Sequence, residues 1–292
     1  DLLKTLAPEP ALPGRYNFAS RLESALPPSH LALLKTIAAA AHQQHNALYV
    51  VGGFVRDLIL ERPSLDFDLV VEGDAIRLAK ALADHWGGRV TAHTRFGTAK
   101  WFLGKEAARQ FAAAGSQEAA PLPAALDFIT ARMEFYTHPT ALPTVERGSI
   151  KLDLHRRDFT INTLALRLDG RHYGELHDYW GGYTDLQQGV IRVLHSISFV
   201  DDPTRMLRAV RFEQRFGFAI EPRTLDLLRA ALPLLARVSG DRVRHELDAM
   251  LEEPRAPQML DRLHALGLLT ALHEHLPWDA WTRAQIEQLP RQ

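Results

Sequence analysis

Leu48-Tyr49-Val50-Val51-Gly52-Gly53-Phe54-Val55-Arg56-Asp57, followed by Asp66-Phe67-Asp68, is the stretch on which the fold turns. The apolar run 48–51 stops at a glycine pair, which marks a strand ending in a turn. Residues 54–60 then suit a short helix closed before Pro63. Glycines between strand and helix let backbone N–H groups approach an anion closely. Arg56, one turn into the helix, can reach a phosphate oxygen, and Asp57 can hold Arg56 or the loop. This is not a Walker loop, because the Gly-Lys-Ser/Thr ending is absent. Residues 67–71 read as a second strand. Side chains two apart on a strand share a face, so Asp66 and Asp68 project together, with Phe67 buried behind them. Such carboxylates repel unless a cation lies between them, and Mg²⁺, a hard ion that favours oxygen, suits that place. Asp127, in Leu126-Asp127-Phe128, is a candidate third carboxylate. The alternative for all three is a solvated charge at a strand edge. Taken together, the turn and the carboxylates predict a nucleotide triphosphate held beside divalent metal.

Outward from this stretch, residues 7–15 read as a Pro/Ala/Gly tether and residues 29–42 as a helix. Asp74 is an N-cap for a helix to Trp86, closed by Gly87-Gly88. Strands are expected at 89–93, 98–103 and 126–130, with an exposed hairpin insertion at 105–125. After residue 157 the pattern is helical: 157–166, then 203–216 with Pro at its first turn and Gly217 at its end, 222–235, 240–251 and 257–268. The fold class is α+β, a mixed sheet with helices followed by an all-helical region. The division expected is an N-terminal tether and helices (1–46), a catalytic head (47–168), a neck (169–220) and a helical body or tail (221–292).

The chain has 292 residues, 46% hydrophobic and 24% charged, with a formal net charge of −1. A neutral balance means that any surface for RNA must be locally basic. With no cysteine, disulfides, thiolate zinc and a cysteine nucleophile are excluded. No apolar run approaches the roughly 20 residues of a membrane span, and a cytoplasmic location is expected.

Two later clusters extend the site. In Arg156-Arg157-Asp158-Phe159-Thr160-Ile161-Asn162, Asp158 and Asn162 are i,i+4 neighbours if helical and could hold a ribose hydroxyl, with an arginine on phosphate. The alternative is an N-terminal capping cluster. In the helix after Asp201-Asp202-Pro203, residues Arg205, Arg208, Arg211 and Arg215 form one stripe. Like charges along a face oppose helix formation, so the stripe suggests an anion partner; the alternative is a face paired with acidic neighbours. The 14 histidines are read as structural or surface groups.

The ordered set of Gly52-Gly53-x-x-Arg56-Asp57, Asp66-x-Asp68, Arg156 to Asn162, Asp178-x-x-Gly181-Gly182-x-x-Asp185-Leu186 with Ile191-Arg192, and Asp202-x-x-Arg205-x-x-Arg208-Ala209-x-Arg211-Phe212 resembles the class II tRNA nucleotidyltransferases and bacterial poly(A) polymerases. Val238 to Leu247 is similar to the family's helical segment behind the nucleotide pocket. The resemblance implies a DNA-polymerase-β-like nucleotidyltransferase head and helical neck, body and tail units that hold tRNA. It implies template-free addition of C and A from CTP and ATP to the tRNA 3′ end, with two Mg²⁺ ions on Asp66 and Asp68. Gly52, Gly53 and Arg56 would face the triphosphate, and Arg157, Asp158 and Asn162 the ribose and phosphates. Asp202 and Arg205 would read the base, while Arg208 and Arg211 would hold phosphates or order the pocket. Two departures stand out: Asp201 replaces a common Glu, and the C-terminal part is short, as in a compact form or a piece of a longer chain.

Base choice follows from donor and acceptor patterns. Cytosine and adenine each place an amine donor beside a ring-nitrogen acceptor, which a carboxylate and an arginine can match; uracil and guanine put a carbonyl where the amine would be. Family members add CCA, CC, the final A, or poly(A). In the family a head loop between the Asp127 strand and Arg156 influences the switch from C to A; here that segment, 131–155 with Pro139 and Pro143, reads as compact and tilts the expectation towards CC addition, with full CCA addition as the alternative. The competing readings are a poly(A) polymerase and, in a different class, an inactive RNA-binding module.

Overall fold

The computed structural model describes residues 15–62, 64–113, 121–135 and 144–288. In chain order the first elements are α1 (Ala19–Ala25), α2 (Pro28–Gln43), β1 (Ala47–Val51), α3 (Gly53–Ile59), β2 (Asp68–Glu72) and α4 (Ala75–Trp86). They are followed by β3 (Arg89–His93), β4 (Thr98–Phe102), α5 (Lys105–Ala113), β5 (Ala125–Thr130), β6 (Arg132–Phe135), β7 (Thr144–Arg147) and α6 (Ile150–His155). Then come β8 (Ala165–Arg167), β9 (Leu176–His177), α7 (Gly182–Gln188), β10 (Val190–Ile191), α8 (Ser198–Asp201), α9 (Thr204–Phe216) and β11 (Ala219–Ile220). The last helices are α10 (Pro222–Ala231), α11 (Gly240–Leu251), α12 (Ala256–Ala265), α13 (Leu268–Leu272) and α14 (Ala280–Gln288). Nearly all of the tether read at 7–15, and both Pro139 and Pro143, lie outside the described residues.

Seven strands form one mixed sheet in the order β3-β4-β5-β2-β1-β8-β9. Only the β2–β5 pair is parallel, and its register sets Asp68 opposite Asp127. Alternation along the strands divides the apolar residues between two layers. Leu48, Val50, Leu69, Val71, Leu126 and Phe128 join the main core with Leu78 and Leu82 of α4 and Leu34 and Ile37 of α2. Tyr49, Val51, Val70 and Ala165 face the other way and pack on Ile150 and Leu154 of α6. The sheet runs past residue 168, because β9 pairs with β8. Beyond it, α9 packs against α11 and α12. This is an α+β head with a mainly helical C-terminal region, interrupted by the short parallel pair β10–β11. No helix among the described residues is long and apolar enough to cross a membrane.

Three sequence expectations are corrected. Residues 105–113 are not an exposed hairpin but α5, which buries Ala107 and Phe111 one turn apart. The Phe111 ring lies 4.9 Å from that of Trp86. The Gln-, Gly- and Pro-rich residues after it masked this spacing. Residues 157–166 are not a helix either. Only a 3-10 turn forms at Thr160–Asn162. The Thr163 hydroxyl donates to the Thr160 carbonyl, and that of Thr160 to Asp185. Hydroxyl side chains that bond locally or sideways compete with helix, and Ala165–Arg167 is needed as β8 beside β1. Finally, β2 begins at Asp68, so Asp66 lies in the approach to the strand, where its N–H donates to the Ser64 hydroxyl. The alternation nevertheless holds, with Phe67 buried between two exposed carboxylates.

Phe111→Ala is expected to destabilise the protein by about 3 kcal/mol, the usual cost of emptying a buried aromatic site. Urea denaturation measures it; an unchanged midpoint would show that α5 does not dock.

Candidate active site

Gly52 caps α3 with φ 68°, a left-handed conformation that favours glycine. A side chain there would also collide with the Arg157 guanidinium. The turn is therefore built around an arginine that arrives from over a hundred residues later. Arg56, on α3, is buried and spends three donors on protein. Nε and Nη2 donate to the two oxygens of Asp57 at 2.8 and 2.9 Å, and Nη1 donates to Asn162 Oδ1 at 2.7 Å. Its guanidinium also lies 4.7 Å from the Phe216 ring centroid and 5.2 Å from that of Phe212. Asp57 thus holds Arg56, one of the two tasks read from sequence.

Asp158 is the hub of the next layer. Oδ1 accepts from Asn162 Nδ2 at 2.9 Å, and Oδ2 accepts from Arg208 Nη2 at 2.6 Å and Nε at 2.8 Å. Asp158 and Asn162 meet as read, although no helix joins them. Desolvation alone would raise the Asp158 carboxyl, but Arg208 and the hydrogen bonds prevail and hold it at about 2. Arg208 also reaches Glu246 at 3.3 Å, and Arg211 reaches the other Glu246 oxygen at 3.2 Å. Arg215 pairs with Glu253 at 3.2 Å. The arginine stripe is therefore neutralised largely by carboxylates of the protein itself, which is the acidic-neighbour alternative.

Arg205 donates from Nη1 to the Ser198 hydroxyl at 2.8 Å and from Nη2 to the Arg156 carbonyl at 2.9 Å. Asp202 Oδ1 accepts from Thr204 N–H at 3.0 Å and from its hydroxyl at 2.6 Å, and it forms an ion pair with Arg242 at 2.7 Å. Asp202 Oδ2 takes no bond among the described residues.

These groups converge on one open cleft of about 480 Å³, within the range of small-molecule sites. Gly53, Arg56, Asp68, Arg157, Asp158, Asn162, Asp202, Arg205 and Arg208 all line it, with Ile129, Arg132, Arg156 and Phe212. Six arginines face three carboxylates there, so a chain of net charge −1 presents a strongly cationic pocket. Gly52, Asp66, Asp127 and Arg211, named from sequence, are outside the lining. Gly52 shapes the turn, and Arg211 is held on Glu246. Arg132 and Ile129 were not singled out; nothing local marks them, since both reach the cleft through the packing of β5 and β6.

Asp68 lies at the edge of the cleft. Desolvation raises its carboxyl above the ordinary value; Arg157 and Arg156 pull it down, and the charges of Asp66 and Asp127 push it further up. Asp127 is in turn paired with Lys100 on β4 at 3.1 Å. Among the described residues no three His, Asp or Glu side chains form a ready cage for a metal ion. What is present is mutually repelling carboxylates beside an anion pocket. That donor set fits a hard cation completed by phosphate oxygens and water.

The family described as "Poly A polymerase head domain" matches residues 48–192, and that described as "Probable RNA and SrmB- binding site of polymerase A" matches 217–278. The A-adding tRNA nucleotidyltransferase of Geobacter sulfurreducens is 42% identical over 86% of this chain and 27% of its own length. The CC-adding tRNA nucleotidyltransferase of the same organism is 34% identical over 87% of this chain and 53% of its own. A CCA-adding enzyme in an apo form superposes with a TM-score of 0.82 at 38% identity, covering 93% of this chain and 61% of the other. The fold and cleft define a nucleotidyltransferase-type head joined to a helical region. The chain belongs to the class II tRNA nucleotidyltransferase and poly(A) polymerase family. It spans less than two thirds of the length of each of these relatives.

The folded pKa of Asp158, about 2, lies below its ordinary value of 3.8, so its contribution is present above pH ~4 and is lost as pH falls towards 2. Asp158→Asn is expected to cost about 2 kcal/mol at pH 7 and little at pH 2, measured by urea denaturation across that range.

Proposed function

We propose that the chain adds nucleotides to the 3′ end of tRNA, joining CMP or AMP from CTP or ATP and releasing pyrophosphate. The observation that carries this reading is the cleft itself. It gathers the triphosphate-type arginines, the base-reading pair Asp202 and Arg205, and Asp68 around one space. Asp66 and Asp68 would hold divalent metal, proposed as two Mg²⁺ ions, which supplies activation of the 3′-hydroxyl and neutralisation of the triphosphate. Arg157, Arg156 and Arg132 offer charge to the phosphates of the incoming nucleotide. The hydrogen bonds of Arg205 to Ser198 and Arg156 fix its plane, so that it can donate to the ring nitrogen of cytosine or adenine. Asp202 keeps Oδ2 for the exocyclic amine of the same base. Arg56 and Arg208 brace the pocket, since each spends three of its five donors on Asp57 and Asn162 or on Asp158 and Glu246.

For the product we favour the terminal A. The A-adding relative is more similar to this chain than the CC-adding one, 42% against 34% identical over nearly the same span. This departs from the inclination towards CC, which rested on Pro139 and Pro143, outside the described residues. A cytoplasmic location accords with tRNA as substrate.

An extension assay tests both levels. tRNAs lacking CCA, ending in one C, or ending in CC are offered CTP, ATP or both with Mg²⁺. A single A on the tRNA ending in CC is expected. Addition of C would reassign the product, long A tails would point to poly(A) polymerase, and no extension would leave an RNA-binding module. Asp68→Asn is expected to lower kcat by about 10³-fold or more, because the charge that holds the metal is removed. Arg205→Ala is expected to erode selection of ATP over GTP; intact selectivity would remove Arg205 from base reading.

A further inference from the structure

A strip of rings and exposed apolar side chains adjoins the nucleotide cleft and has no part in the account above. The His155 and Trp180 rings lie 4.4 Å apart at 36°, and the His155 and His195 rings 5.6 Å apart at 50°. Leu152 is one turn before His155 on α6. Ile197 is two residues after His195, and Val200 is three residues further on. Of the seven large apolar residues recorded as exposed among the described residues, these are three, at 40%, 55% and 36%. Hydrogen bonding does not account for the rings: Trp180 Nε1 and His195 Nδ1 have no partner among the described residues. Lys151 adds a cation, 5.9 Å from the Trp180 ring centroid.

The strip is continuous with the base-reading pair. His155 precedes Arg156, whose carbonyl accepts from Arg205. His195 Nδ1 lies 4.0 Å from Asp201, the neighbour of Asp202. When a nucleotide is joined to an RNA 3′ end, the last base of the acceptor must lie beside the incoming base. A surface that receives unpaired bases should therefore begin where the incoming base is read. Aromatic and imidazole faces suit it, because every base offers a π-face, and a nearby lysine can meet the connecting phosphates. Burial lowers both His155 and His195 below their ordinary value, which favours neutral rings at pH 7.

We propose that the strip of Trp180, His155, His195 and Ile197 stacks the unpaired bases at the 3′ end of the RNA acceptor and delivers its terminal hydroxyl to the cleft. This rests on the proposed function, and the test separates the two. An RNA hairpin with a single-stranded 3′ overhang carries 2-aminopurine at its last unpaired position, and the same hairpin without overhang is the control. Binding of the unaltered chain is expected to quench the fluorescence. His155→Ala and His195→Ala are expected to weaken overhang binding by about fivefold or more each, with the control unchanged and with rescue by His155→Phe and His195→Phe. Ile197→Glu, at an exposed position, should act in the same direction without threatening the fold. Absence of quenching, equal losses for both RNAs, or unchanged affinity in every variant would overturn the proposal. If the unaltered chain extends no RNA yet shows the quenching and its loss, the proposed function falls and the strip stands. If extension is normal and the variants bind like the parent, the strip alone falls.

Discussion

The partly buried ion pair between Asp158 and Arg208 is the constraint on which the site depends. It links the segment between α6 and β8 to α9, and each partner is committed further. Asp158 takes Asn162, which takes Arg56, which takes Asp57. Arg208 takes Glu246 of α11. One connected network thus runs from the helix after the glycine turn to the helix behind the pocket. Removing one member leaves the other charge uncompensated, a loss on the order of 2 kcal/mol at pH 7, as the depressed Asp158 carboxyl implies. The network ties α3, the segment after α6, α9 and α11 to one another through side-chain bonds.

That arrangement separates two kinds of arginine. Arg56 and Arg208 are held by protein carboxylates, an amide and rings, so they hold shape, and Arg211 is paired with Glu246 although its Nε is buried without a partner among the described residues. Arg157 is placed differently. Its Nε is buried without a partner among the described residues, and its nearest carboxylate, on Asp153, is 3.6 Å away. It stands over the glycine turn and its charge is felt at Asp68. An arginine so placed offers its charge to something that arrives. The cleft is cationic because its six arginines outnumber its three carboxylates, while the chain as a whole is nearly neutral.

Much of the fold was legible in the chain. The strand at 48–51, the capped helix from Asp74, and α9 between Pro203 and Gly217 follow local rules of period, caps and breakers, and the structure keeps them. Asp68, Gly53, Arg157, Asp202 and Arg205 were legible as candidates from their order and spacing, and the structure brings them to one cleft. The misreadings share a cause. Residues 157–166 have helical spacing, but β1 requires a partner strand there and Thr160 turns its hydroxyl to Asp185. The turn of apolar residues in α5 was hidden by the composition that follows it. His155 and His195 carry no local mark at all; they come into contact only because α6 and the segment before α8 fold together.

The sequence by itself determined which chemical groups exist, their order, and the local periods that make strands, caps and turns, since these depend on neighbours a few residues apart. It determined that two carboxylates would flank Phe67 and that glycines would follow β1. The tertiary structure decided which arginine meets which carboxylate, that Gly52 makes room for Arg157, and that Arg132 reaches the cleft. It also turned the expected anion-binding stripe into a set of ion pairs with Glu246 and Glu253. The physical reason is that charges interact through space and burial rather than along the chain. Partners more than thirty residues apart become known only when the packing that brings them together is known.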